Sequence, residues 1–354
     1  MSLRILVLLD GTPQAEGALR YAEVLVRTAG GQLKVFRASV GGGPTDYIER
    51  ALDSIATRLR ETGVPTDWSV AEGEAVPAIL DAARSWQPHF VAMTTSRSSG
   101  LDRWLNDGVA DTIVRSAEVP VLVVPPDREH PAARKPMRIM VPLDGSAIAE
   151  KALGPATELA RSLQADLILL RVIEEHNPGG RMHAEDVEHY IQKMLDGVHA
   201  AAPQRQVMSH VAWGSPSIAI AQAAVDLRAD MIAMSTRGRG GLARALLGST
   251  ATATLQRSIV PLLLVGPAAI ASFLGEGPRG IARTPHRTKW TSPETASGEV
   301  AEVTDSEAAP RTTTSALART VPATARTSSC DAVEEQGRQS FPASDPPSWT
   351  GSTI

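Results

Sequence analysis

The chain repeats itself, and the repeat decides most of what it can fold into. Ile5-Leu6-Val7-Leu8-Leu9-Asp10-Gly11-Thr12 returns 134 residues later as Ile139-Met140-Val141-Pro142-Leu143-Asp144-Gly145-Ser146. Each run is an apolar strand closed by an acid, a glycine and a hydroxyl. The same offset carries Ala15, Ala18, Leu19, Ala22, Leu25 and Ala29 onto Ala149, Ala152, Leu153, Ala156, Leu159 and Leu163. Spacings of three and four put each set on one face of a helix. Thr12, followed by Pro13, and Ser146 stand where helix N-caps belong, and Gly30-Gly31 is read as the end of the first helix.

Further along, the offset is 141: Gly73 matches Gly214, Ile79 matches Ile220, Ala92-Met93 matches Ala233-Met234, and Val119-Pro120 matches Val260-Pro261. One insertion of about seven residues after the second strand accounts for the change. Strands are predicted at 33–38 and 167–172, at 67–71 and 206–212, ending at Met93 and Met234, and at 119–124 and 260–265. Helices are predicted at 46–60 and 184–198, near Pro77 and Pro216, and before each last strand. Alternating strands and helices imply an α/β fold of two tandem doubly wound parallel-sheet domains, Rossmann-like, with helices on both faces. Ligands of such sheets sit at the carboxyl ends of strands where the winding reverses.

The expected domains are residues 1–127 and 137–267, joined by a linker at 128–136. Residues 268–354 are rich in Thr, Ser, Ala, Pro and Arg without apolar periodicity, and predict a disordered tail. Phe341 and Trp349 near its end leave two readings open, a solvated end or a short docking motif for an unknown protein partner. The two last strands are apolar throughout and would be sheet edges, so the domains are expected to pair through them.

Several classes are excluded. A net charge of −4 shows no basic surplus for nucleic acid. The apolar stretch Ile259–Leu274 is broken by Pro261, Gly266 and Pro267, and falls short of the roughly 20 residues that cross a membrane. The start runs at once into a strand ending in Asp10, unlike a signal peptide. Cys330 is the single cysteine, which rules out an intrachain disulfide and fits a cytoplasmic location. Neither G-x-x-x-x-G-K-S/T nor G-x-S-x-G occurs. Gly238-Arg239-Gly240-Gly241-Leu242-Ala243 fits a dinucleotide G-x-G-x-x-A, but it follows the fourth strand, with no acid before Glu276. His183 and His189, beside Glu185 and Asp186, lie six apart and read as a solvated helix face.

The segment from Met234 to Thr250 carries the chemistry. Glycines let a backbone approach phosphate, and the N–H groups opening a helix at Gly248-Ser249-Thr250 are anion donors aided by the helix dipole. Arg237, Arg239 and Arg244 add positive charge. This segment resembles the ATP-binding motif of universal stress proteins: Gly, two residues, Gly, nine residues, Gly, then Ser or Thr. Gly238, Gly248 and Ser249 match, whereas Ser235 stands in place of the first glycine. Val141–Ser146 is also similar to the family's first strand. The resemblance spans about residues 2–126 and 136–266.

It implies an adenine nucleotide alpha hydrolase-like fold and ATP, with or without Mg2+, as ligand. The site would be Pro142, Asp144, Val172, Met234, Ser235, Arg237, Gly238, Gly241, Gly248, Ser249 and Thr250, with Asp144 on ribose or adenine and Pro142, Val172 and Met234 lining the base. In the first copy, Thr94, Arg97 and Asp107 replace Ser235, Gly238 and Gly248, while Leu8 and Ala38 replace Pro142 and Val172. That copy is expected to have lost triphosphate binding. The expected function is nucleotide-dependent stress response or signalling, with homo-oligomerisation left open. A slow ATPase or adenylate-handling enzyme on the same fold, and an interaction protein working through its tail, remain alternatives.

Overall fold

The computed structural model describes residues 2–40, 45–94, 108–126, 137–174, 184–202, 205–236 and 247–275. In the first repeat the elements are β1 (Leu3–Leu8), α1 (Glu16–Ala29), β2 (Gly31–Ser39), α2 (Asp46–Glu61), β3 (Thr66–Glu72), α3 (Ala75–Trp86), β4 (Phe90–Thr94), α4 (Val109–Ser116) and β5 (Val121–Val124). The second holds β6 (Arg138–Leu143), a short α5 (Ala147–Glu150), α6 (Leu153–Leu163), β7 (Asp166–Ile173), α7 (Ala184–Ala201), β8 (Val207–Trp213), α8 (Pro216–Asp226), β9 (Met231–Ser235), α9 (Ser249–Arg257) and β10 (Leu262–Val265). A last helix, α10, covers Pro267–Leu274.

All ten strands form one sheet in the order β3-β2-β1-β4-β5-β10-β9-β6-β7-β8. Pairing is parallel within each repeat and antiparallel at the join, where Leu262, Leu263 and Leu264 face Val123, Leu122 and Val121. The edge pairing expected from the sequence is therefore present: two four-residue strands, buried throughout, satisfy each other's backbone. β1 and β6 are apolar on both faces because helices cover both. One core joins the sheet to α1, α2, α6 and α7, the other to α3, α4, α8 and α9, and each runs through both repeats. The Tyr21 hydroxyl of α1 adds a buried bond across the seam, donating to the Asp230 carbonyl at 2.7 Å.

Local chemistry explains the elements. Thr12 and Ser146 accept from the Ala15 and Ala149 amides as N-caps. The chain continues through α1 in repeat one, whereas in repeat two α5 and α6 are separate. Pro155, in the first turn of α6, has no N–H for the Lys151 carbonyl and its ring crowds that position, which interrupts the helix there.

Four sequence expectations need correction. Gly30 alone ends α1, at φ 71, while Gly31 opens β2. A Cβ on Gly31 would run into the Leu3 carbonyl, so that glycine is there for close strand approach. The insertion is split rather than single. Ile48, Leu52, Ile55 and Leu59 pack as Val187, Ile191, Met194 and Val198 do, an offset of 139. Five residues are thus added before α7 and two after it. Each last strand begins two residues later than predicted, at Val121 and Leu262. Finally, regular structure runs past residue 268. In α10, Ala269 is buried with Ala152 and Val265, and Phe273 lies against Gly154. The apolar run Ala268–Leu274, read as the start of a tail, has a core to pack on. Residues 276–354, which hold the rest of the expected tail, Cys330, Phe341 and Trp349, lie outside the described residues. So does the whole of the expected linker, 128–136. Among the described residues no helix is long and apolar enough to cross a membrane.

Candidate functional site

Strand order places the reversal of winding between β6 and β9 in repeat two, and between β1 and β4 in repeat one. In repeat two, Pro142 pairs in register with Leu170 of β7, and β9 runs alongside β6 through Ile139–Met231 and Met140–Ile232. Met140, Ile168, Leu170, Ile232 and Met234 pack in the core under α8 and α9, and Val172 packs against it. Strand alternation puts Pro142 on that same face. The three side chains expected to line a base thus share one face at the carboxyl ends of adjacent strands.

Asp144 follows β6. Its Oδ1 accepts from the Ser146 amide at 2.9 Å and the Ser146 hydroxyl at 2.6 Å, and Ser146 Oγ accepts in turn from the Ala149 amide. One carboxylate oxygen is thereby committed to holding the turn that starts α5. Ser235, the last residue of β9, is buried. The Thr236 amide donates to the Val265 carbonyl, and the Gly248 amide donates to the Thr236 carbonyl at 2.7 Å. That second bond fastens the start of α9 to the end of β9. Gly248 is the N-cap, and Ser249 and Thr250 open the helix. Pro142, Asp144, Val172, Met234, Ser235, Gly248, Ser249 and Thr250 therefore belong to the carboxyl-end rim of repeat two. Arg237, Gly238 and Gly241, with Arg239 and Arg244, lie outside the described residues.

Repeat one has the same turn, with Asp10 Oδ1 accepting from the Thr12 amide and hydroxyl. Its strand end differs. Thr94, at the place of Ser235, accepts from the Ala18 amide at 2.9 Å and donates to the Ala15 carbonyl, which stitches β4 to the start of α1. Asp111, in the first turn of α4 at the place of Thr252, is buried and paired with Arg115 at 2.9 Å. Burial raises its pKa above the ordinary value of 3.8, against the pull of Arg115. Arg97 and Asp107 lie outside the described residues.

Sequence reading missed a polar cluster behind the Asp144 turn. Arg171, facing away from Val172, is 4% exposed, and its Nη1 donates to the Leu143 carbonyl at 3.0 Å. Its guanidinium carbon lies 5.7 Å from the centre of the Tyr190 ring. Burial, with the Glu150 carboxylate beside it, pushes the Tyr190 hydroxyl well above the usual tyrosine range, and Asp144 adds to the push while Arg171 opposes it. The one available signal was Arg37, which sits 134 residues before Arg171. Asp186 and His189 on α7 are exposed, as a solvated face requires; His183 and the Glu185 side chain are not described. Among the described residues no group of His, Cys, Asp and Glu could hold a metal. A groove of about 500 Å³ lies between β3 and α3, lined by Phe36, Val70, Ala78 and Trp86. It lies on the flank of repeat one and reaches the carboxyl end of the edge strand β3 at Ala71 and Glu72, not the switch point between β1 and β4.

A parallel sheet with helices on both faces, a helix start fastened at the switch point and an acid-bearing turn at the neighbouring strand end define a doubly wound, Rossmann-like α/β protein. The universal stress protein family model matches twice, over residues 1–125 and 136–266, and the chain belongs to that family. It is 25% identical over 227 residues to a universal stress protein of Mycolicibacterium smegmatis, covering 62% of this chain and 76% of that one. A Synechocystis universal stress protein is 30% identical over 131 residues, 36% of this chain and 83% of the relative. A solved universal stress protein from Archaeoglobus fulgidus superposes with a TM-score of 0.57 at 21% identity, over 74% of this chain and 96% of that one. At that identity the likeness speaks for the fold.

Proposed function

We propose that repeat two binds an adenine nucleotide, ATP with or without Mg2+, at the carboxyl ends of β6, β7 and β9, and that occupancy serves a stress response. The observation carrying this reading is the Gly248–Thr236 bond, which holds the N-terminus of α9 at the end of β9. The N–H groups that open α9 are donors suited to phosphate, and Ser249 and Thr250 add hydroxyls. Pro142, Val172 and Met234 offer apolar surface for a base, and Asp144 offers acceptors for a sugar hydroxyl. Arg237, Gly238 and Gly241 would complete the phosphate cradle. In repeat one, the Thr94 stitch and the buried charge of Asp111 stand against an equivalent site. The reading is one of binding; slow ATP turnover would be an addition to it.

The test is mass spectrometry of small molecules released when the purified protein is denatured, followed by titration of the stripped protein. An adenine nucleotide should be released or should bind with saturation. A stripped protein that takes up none at millimolar concentration would exclude the reading.

A further inference from the structure

The two outer edges of the sheet, β3 and β8, are built differently. On β3 only Asp67 and Glu72 are exposed, and the Trp68 indole donates to Asp53 of α2 at 3.0 Å. Charges on an edge strand discourage pairing with another chain. β8 reads Val207-Met208-Ser209-His210-Val211-Ala212-Trp213, without a carboxylate, lysine or arginine. Met208, Ser209, His210, Val211 and Trp213 are exposed, Trp213 by 64%. Ala212 packs against the core under α8 and α9, and Val207 against the other core. Strand alternation then puts Met208 and His210 on the first face, and Ser209, Val211 and Trp213 on the second. β8 is therefore uncovered on both faces.

The backbone of β8 fixes what could pair with it. The Leu167 amide donates to the Gln206 carbonyl, and the Gly214 amide donates to the Ile173 carbonyl. In a parallel ladder alternate residues turn both backbone groups to the same neighbour. Met208, His210 and Ala212 thus face β7, whereas Val207, Ser209, Val211 and Trp213 turn N–H and C=O outward. Among the described residues no strand meets them.

We propose that a second copy of this chain occupies this edge, β8 against β8, antiparallel about a twofold axis at His210. The strand is complementary to itself in that register. Ser209 pairs with Val211 and Val207 with Trp213, as hydrogen-bonded pairs, so every outward N–H and C=O in β8 finds a partner. An axis at Ser209 or Val211 would leave Trp213 or Val207 without a partner in β8. His210 meets its own copy in a non-hydrogen-bonded pair, and Trp213 lies beside Val207 of the second copy. No charged pair opposes the contact. The chain already joins its own repeats in this way, through the antiparallel pairing of apolar β5 and β10. The proposal is independent of the nucleotide reading.

The experiment uses the full chain without nucleotide. Sedimentation equilibrium should show a dimer for the wild type. His210→Lys sets two like charges opposite each other, and Ser209→Pro removes an outward N–H that β7 does not use. Each should raise the dimer dissociation constant at least about tenfold, with the circular dichroism of the wild type retained for the exposed His210→Lys. Register is read by cross-linking after Cys330→Ser removes the native thiol. Cα atoms in a non-hydrogen-bonded pair stand about 4.5 Å apart, within disulfide reach. His210→Cys in that background should oxidise to a covalent dimer, and Met208→Cys, which faces Ala212, should do so far less. A monomeric wild type, a His210→Lys dimer as tight as the wild type, or equal cross-linking at both positions would overturn the proposal. A monomer whose Ser209 and Val211 amides resist hydrogen exchange would overturn it too, since another segment would then hold the edge.

Discussion

Gly266→Ala should destabilise the whole protein, although alanine is by most measures the safer residue. Gly266 joins β10 to α10 at φ −78 and ψ 169, angles that alanine adopts without strain. Replacing glycine there would by itself stabilise by about 0.4–1 kcal/mol, through a less flexible unfolded chain. Against this, the new Cβ would be driven into the Val114 carbonyl, 3.0 Å from its carbon, on α4 of the other repeat. The obstacle is backbone in the last turn of α4, so no rotamer change relieves it. Overpacking of this kind costs about 1–3 kcal/mol, and alanine is also a poorer N-cap than glycine by up to about 1 kcal/mol. The net expectation is a loss of about 1–3 kcal/mol, or a melting temperature lower by roughly 3–10 °C for a unit of this size. Urea unfolding followed by circular dichroism measures it. A midpoint equal to or above the wild type with an unchanged slope would show that Gly266 and α4 do not meet as described, and the account of the seam would fail.

Two further perturbations follow from buried polar groups. Tyr21→Phe removes the donor to the Asp230 carbonyl, so it should cost about 1–2 kcal/mol in the same unfolding assay; a loss below about 0.3 kcal/mol would leave the cross-repeat bond without weight. Asp111→Asn tests the raised carboxyl. A folded pKa above the unfolded one means that the folded state holds the proton longer, so wild-type stability should fall relative to the variant as pH rises from 3.8 until Asp111 has ionised. Parallel melting-temperature profiles for the two proteins across that range would refute the assignment.

Much of the fold was legible because the repeat supplies each pattern twice. Ala18, Leu19, Ala22 and Leu25 are buried on α1, and Ala152, Leu153, Ala156 and Leu159 lie buried in the same repeat order. The edge pairing was legible too, since Val121–Val124 and Leu262–Val265 contain nothing polar that would tolerate a solvated edge. What escaped depends on contacts distant in sequence. Gly266 looks like a linker glycine until Val114 is seen against it. Ala268–Leu274 lacks the alternation of a strand and is too short to declare itself a helix, and only the surface around Gly154 and Ala152 gives it a place to pack. Arg171 reads as an ordinary strand-end charge, because Tyr190 reaches it from a helix whose alignment with its counterpart is offset by five residues from the strand before it. Thr94 was noticed for the glycine it replaces, not for the bonds it makes to α1.

The central claim is one nucleotide site, in repeat two. Titration calorimetry of the stripped full chain with ATP tests it directly, run on the wild type, Gly248→Asp and Asp10→Ala. The account predicts about one ATP per chain in the wild type, the same in Asp10→Ala, and none in Gly248→Asp, where a carboxylate would meet the phosphates at the start of α9. Two equal sites in the wild type, or binding that survives Gly248→Asp and vanishes in Asp10→Ala, would contradict it.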